Sequence, residues 1–307
     1  MKQINLLAIF FLGMIAPGYA QEFIPLWPKD KKPNFNGHAV TDSLYNERIW
    51  RVGTPGIYAF PAAKALNTGT TVLICPGGGY ERLSHIYNGF VVAAWFNARG
   101  INAYVLIYRL PHQSDLQDRA LAPLQDVQRA IKLLRFNAKK WNLQIDKIGV
   151  FGASAGGHVA SMAGTHLTDV AAIKDEMDTV NVKPDFMILV SPVISMGEYA
   201  HKGSRQNLLG KNPTREQLDL YSNELHVSAL TAPAFMVHAQ NDSTVPVKNS
   251  LLFYNALIDK KVNASLHVFP QGGHGIRMYD NPGSTNLFPE LMILWMMENK
   301  FLISDKK

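Results

Sequence analysis

Short apolar runs alternating with helical stretches predict an α/β fold with a mainly parallel central sheet flanked by helices. Two observations carry this prediction. The apolar runs at residues 70–75, 101–108, 147–151, 186–190, 234–238 and 264–269 have strand length. The segments at 88–99, 118–141, 247–260 and 285–299 have apolar residues at helical spacing, as in Leu124, Val127, Ile131 and Leu134. Strands that alternate with helices imply right-handed crossovers, and so parallel pairing.

Taken in order, residues 1–20 read as a cleavable signal peptide rather than as fold. Lys2 supplies the positive start, and residues 4–16 are an apolar stretch of roughly 13 residues, short of the ~20 that span a bilayer. Gly18 and Ala20, flanking Tyr19, supply the small residues expected before a cut at Gln21. The expected product is secreted or periplasmic, without stable membrane insertion after cleavage. Residues 21–37, rich in Pro and Lys, read as an extended arm, and residues 38–302 as one domain. One or two antiparallel edge strands are expected within 38–60. Gly100 stops the helix at 88–99. Two segments interrupt the alternation. Residues 165–184 are polar and mixed, and 195–231 carry Gly197, Gly203, Gly210 and Pro213 without a clear strand. The second follows the strand at 186–190 and is either a small lid or a plain surface insertion.

The chain of 307 residues has 47% hydrophobic and 18% charged residues, enough to bury a core without metal or disulfide. Its one cysteine, Cys75, sits in an apolar run and reads as a small buried residue. The net charge of +6 is dispersed, with no basic run, so nucleic acid is not an expected partner. No spacing of His, Cys, Asp or Glu fits a zinc site, and neither metal nor cofactor is expected.

The most informative segment is residues 147–158, where the strand meets Gly152-Ala153-Ser154-Ala155-Gly156 and a helical pattern follows. Such a junction turns sharply and lifts the serine hydroxyl clear of the backbone as a nucleophile. A serine nucleophile needs a base and an orienting carboxylate, all on loops at the carboxyl ends of strands. Asp242 follows the strand at 234–238, and His274 follows the strand at 264–269 on a glycine-rich loop. The candidate catalytic residues are therefore Ser154, Asp242 and His274. The candidate oxyanion donors are the backbone amides of Ala155, after the nucleophile, and of Gly78 or Gly79, in the loop after the strand at 70–75. That loop has neither Gly-Lys-Ser/Thr nor Gly-x-Gly-x-x-Gly, which speaks against phosphate binding. His158 is expected to face the sheet. His238 and His267 are assigned to strands, His85 and His112 to loops near the pocket, and Glu81 to a loop residue at its edge.

With these residues in hand, the chain over 38–302 resembles the α/β-hydrolase superfamily. Pro76-Gly77-Gly78-Gly79-Tyr80, Tyr108-Arg109-Leu110, Asp126-Val127-Gln128-Arg129-Ala130 and Gly152 to His158 together are similar to secreted acetylxylan esterase-like carbohydrate esterases. Where the lipase branch has His-Gly-Gly-Gly, this chain has Cys75-Pro76-Gly77-Gly78-Gly79. Ser154 stands where dienelactone hydrolases have cysteine. The resemblance implies an acylated carbohydrate substrate, with acetyl esters on xylan or related oligosaccharides hydrolysed through an acyl-enzyme. Spacing alone implies only serine acyl transfer. A lipase-like esterase, a feruloyl esterase, a peptidase or a non-catalytic carbohydrate-binding protein on the same scaffold stay open here.

Overall fold

A computed structural model describes residues 21–29 and 31–302. The expected signal peptide lies outside these residues. Ten strands form: β1 (Phe23–Pro25), β2 (Ser43–Tyr45), β3 (Arg48–Arg51), β4 (Gly56–Phe60), β5 (Thr71–Cys75), β6 (Asn102–Ile107), β7 (Ile148–Ala153), β8 (Met187–Val190), β9 (Ala234–Ala239) and β10 (Ala264–Phe269). Eight of them make one sheet, in the order β1-β4-β6-β5-β7-β8-β9-β10. From β6 to β10 every pairing is parallel, and β4 and β1 add antiparallel to the β6 edge. β5, β6, β7, β8 and β9 are buried along their whole length, which explains their unbroken apolar runs.

The helices are α1 (Val91–Asn97), α2 (Ala122–Phe136), α3 (Ala138–Trp141), α4 (Ala155–Thr165), α5 (Lys202–Leu209), α6 (Arg215–Leu220), α7 (Lys248–Asp259) and α8 (Phe288–Glu298). The chain steps from β5 to β6 in one direction and from β6 to β7 in the other. Right-handed crossovers then put α1 on one face and α2, α4 and α7 on the opposite one. This reversal makes the carboxyl ends of β5 and β7 the switch point of the sheet, where a crevice opens.

Several elements differ from expectation, for local reasons. The helix expected at 118–141 begins at Ala122, because the Asp118 carboxylate accepts from the Ala120 and Leu121 amides and holds a turn. It breaks at Asn137, which leaves helical dihedrals. The stretch at 88–99 opens with a π turn over Ile86–Phe90 before α1. Of the strands expected in 38–60, only β4 joins the large sheet, while β2 and β3 form a separate hairpin. The arm supplies β1, and Leu26 and Trp27 are buried. The polar segment at 165–184 is tied to α2 by a row of cations. Arg129 pairs with Asp175, Lys132 with Asp169 and Asp178, and Arg135 with Asp185.

Candidate active site

Ser154 sits between β7 and α4 with φ +56° and ψ −125°, a backbone state that L residues rarely adopt. Four backbone hydrogen bonds impose it. The Ser154 amide donates to the Val190 carbonyl, and the Ser154 carbonyl accepts from the Gly157, His158 and Val193 amides. Gly156 is required because α4 passes close to the end of β5. A Cβ on it would lie 2.0 Å from the Cys75 carbonyl oxygen.

The structure brings the three sequence-expected side chains together. His274 Nε2 is 2.8 Å from Ser154 Oγ, and His274 Nδ1 is 2.8 Å from Asp242 Oδ2. Ser154 and His274 are half-buried, whereas the Asp242 side chain is fully buried. Burial pushes the Asp242 carboxyl upward. Hydrogen bonds from the His238 and His274 rings and from the Val245 amide outweigh it and hold the group well below the usual carboxylate range. Its Oδ1 accepts from the Thr244 and Val245 amides at 2.9 Å. An ionised carboxylate fixed on four sides keeps the imidazole in one orientation.

The amides of Gly78, Gly79 and Ala155 donate to no acceptor among the described residues. Gly78 has φ +140°, and a Cβ there would meet the Arg82 carbonyl at 2.0 Å. Ser154, His274, Gly78 and Gly79 border a cleft of about 460 Å³, lined also by Ser84, Asn88 and Glu81. A smaller recess of about 100 Å³ adjoins it and shares Asn88, Ala153, Val190 and Ile276. Its further lining includes Val91, Val92 and Phe288, so it is largely apolar.

Of the other histidines, His238 and His267 lie in β9 and β10, and His85 and His112 lie outside the strands and helices, as expected. Neither His85 nor His112 lines the cleft. His85 is buried against Phe90, and His112 is exposed with Nδ1 3.3 Å from the Tyr80 carbonyl. His158 is clamped between Tyr80 and Tyr221 rather than facing the sheet. Its Nε2–H donates to the Tyr221 carbonyl, and its Nδ1 accepts from the Tyr80 hydroxyl, both at 2.7 Å. Sequence reasoning missed three residues. His238 Nε2, from β9, lies 3.3 Å from Asp242 Oδ2. Ser191, at the end of β8, lines the cleft with φ +43° and a buried, unpartnered hydroxyl. His201, just before α5, also lines the cleft. No periodicity or motif marks any of them. Only the four-residue spacing of His238 and Asp242 was available as a signal.

The Tyr80, Arg109 and Asp126 positions that stand out in the sequence are framework. The Asp126 carboxylate accepts from Trp27 Nε1, from the Arg109 amide and from the Arg109 guanidinium, and both charged side chains are fully buried. Among the described residues, no group of three His, Cys, Asp or Glu side chains is arranged to hold a metal ion. No helix there is long and apolar enough to cross a membrane.

Comparison with known proteins bears on this arrangement. The BD-FAE family model matches residues 57–257, from β4 into α7. The chain belongs to the BD-FAE family. The chain is similar to endo-1,4-beta-xylanase B of Butyrivibrio fibrisolvens, 40% identical over 85% of this chain and 41% of that protein. It is also similar to the acetylxylan esterase of Xylanibacter ruminicola, 37% identical over 68% of this chain and 41% of that protein. The chain thus spans about two fifths of the length of these curated relatives. The crystal structure of an acetyl ester-xyloside bifunctional hydrolase from Caldicellulosiruptor lactoaceticus superimposes with a TM-score of 0.79 at 35% identity, over 92% of this chain and 97% of that one. The fold is the α/β-hydrolase fold, and the BD-FAE match covers Ser154 and Asp242, with His274 beyond its end.

Proposed function

We propose that the protein is an exported serine esterase that removes short acyl groups, acetyl above all, from xylan or related plant cell-wall oligosaccharides. The observation that carries this reading is the continuous hydrogen-bonded line Ser154–His274–Asp242, whose Ser154 and His274 line an open cleft. The names of the xylan-directed relatives support the choice of substrate. The composition of residues 1–20 supports export.

In this reading Ser154 Oγ attacks the ester carbonyl while His274 Nε2 takes its proton. Asp242 holds Nδ1–H and stabilises the imidazolium as it forms. The oxyanion receives the amide of Ala155 and that of Gly78 or Gly79, preset by the backbone. The proton on His274 passes to the departing sugar alkoxide, and the acetyl-Ser154 ester remains. Water, deprotonated by His274, then attacks that ester; the acyl–Oγ bond breaks, His274 returns the proton to Ser154 Oγ, and acetate is released. The small apolar recess fits a short acyl chain and disfavours the long chains of a lipase substrate.

Acetate release from acetylated xylan by wild type and Ser154→Ala tests the proposal, beside a nitrophenyl ester series of rising chain length. Serine-dependent release from xylan with a preference for short acyl groups is expected. Activity on nitrophenyl acetate with none on acetylated glycans would discard the substrate and keep the chemistry.

A further inference from the structure

The cleft has two halves of different chemistry. Its acyl side runs into the apolar recess at Ala153, Val190 and Ile276. The remaining volume is bordered by polar groups, among them Arg82, His201 and Asn207. At about 460 Å³ it is far larger than an acetyl group requires and falls in the range of sites for drug-sized ligands. If the acyl group takes the recess and the oxyanion takes the glycine loop, the alcohol is left with this polar volume.

α5 closes that side. Asn207 Nδ2 donates to the Gly79 carbonyl at 2.9 Å and ties the helix to the glycine loop. The ring of His201 stands over the same loop, with Cε1 3.9 Å from where a Cβ on Gly79 would lie. Its tautomer follows from its partners. The Ser204 amide can only donate, and it donates to His201 Nδ1 at 3.2 Å; the Ser204 hydroxyl lies 2.8 Å from the same atom. Nδ1 is thus the acceptor that caps α5, and in the neutral ring the proton is on Nε2. Nε2 has no protein partner among the described residues. Burial, reinforced by nearby His274 and opposed by Asp242, lowers the ring's pKa and keeps it neutral near neutral pH.

We infer that His201 determines specificity for the alcohol half of the substrate, its Nε2–H donating to a hydroxyl or ring oxygen of the sugar that carries the ester. This rests on the proposed esterase reading and adds to it the group that recognises the leaving sugar. It also assigns a task to the 195–231 segment, which delivers a donor to the cleft and braces the glycine loop.

The test must separate donation from capping, and His201→Asn does so. Asparagine is a strong N-cap and can accept from the Ser204 amide, but its side chain is too short to present a donor where Nε2 lies. The quantity to read is the ratio of kcat/KM on an acetylated xylooligosaccharide to kcat/KM on 4-nitrophenyl acetate. For His201→Asn this ratio is expected to fall about tenfold, the loss of one neutral hydrogen bond, mainly through KM. His201→Gln keeps an amide donor with longer reach and should recover part of the ratio. An unchanged ratio, including one in which both substrates lose equally, overturns the inference and leaves the esterase reading intact. A wild type inactive on the oligosaccharide but active on nitrophenyl acetate overturns the sugar reading, and the inference with it.

Discussion

At Ser154 the backbone is held in a left-handed state that costs on the order of 1–3 kcal/mol and is stabilised by the surrounding hydrogen bonds. The result is an Oγ within hydrogen-bond reach of His274, with the Ala155 amide next in the chain. Asp242 is the residue whose role is most open to isolation. Asp242→Asn preserves volume and leaves the fold in place, but the amide no longer selects the Nδ1–H tautomer of His274. Turnover of nitrophenyl acetate is expected to fall on the order of 10⁴-fold, with an unchanged circular dichroism spectrum. A loss under tenfold would mean that another group orients the imidazole. The catalytic candidates were legible in the sequence because each falls directly after a strand, where topology dictates convergence. His201 was not legible, since it caps a short helix in a segment without periodicity. Ser191 was not legible either, because its significance lies in a backbone angle that no motif encodes.

At the scale of elements, the tie between arm, sheet and helix is the Asp126 cluster. The guanidinium groups of Arg109 and Arg129 lie 5.8 and 5.2 Å from the ring of Trp27, from the arm. Its Nε1 reaches Asp126 in α2, which also binds the end of β6 through Arg109. Asp126→Ala strips the partner from a buried guanidinium. Stability in denaturant melts is expected to fall by about 3–5 kcal/mol, with Trp27 released early. A change under ~0.5 kcal/mol would show that the cluster contributes little. The strand runs were readable because buried parallel strands are uniformly apolar. The arm's pairing was not readable, because three residues of β1 carry no alternation and gain their place from Trp27 contacts distant in sequence. The polar 165–184 segment was equally opaque, since its order comes from ion pairs with α2 rather than from an apolar face of its own.

At the scale of the molecule, His158 joins three parts: the glycine loop through Tyr80, its own helix α4, and the 195–231 segment through Tyr221. Burial brings its pKa down to about 4, against the partial opposition of the Tyr221 carbonyl. In the unfolded chain the ring titrates near the ordinary 6.5. Between these values the unfolded state binds more protons, so stability falls as pH drops from 6.5 toward 4, and is level below. The slope integrates to about 3 kcal/mol for this one ring. His158→Gln can keep a donor for Tyr221 and an acceptor for Tyr80 without titrating. Denaturant midpoints across this pH window should then depend less on pH in the variant than in wild type. Equal slopes would assign the acid sensitivity elsewhere. The sheet's parallel core and the position of the crevice could be read from strand alternation alone. The strand order at the β1-β4 edge and the packing of α5 over the glycine loop depend on contacts distant in sequence, which no local pattern encodes.

The central claim is that Ser154 carries the acyl group. The most direct measurement is rapid-quench mass analysis of the protein during turnover of nitrophenyl acetate, with the modified peptide identified. Wild type should show a burst of nitrophenol matched by one acetyl group on the peptide containing Ser154, and Ser154→Ala should show neither. Steady turnover with no acyl-protein, or an acetyl group retained in Ser154→Ala, would contradict it.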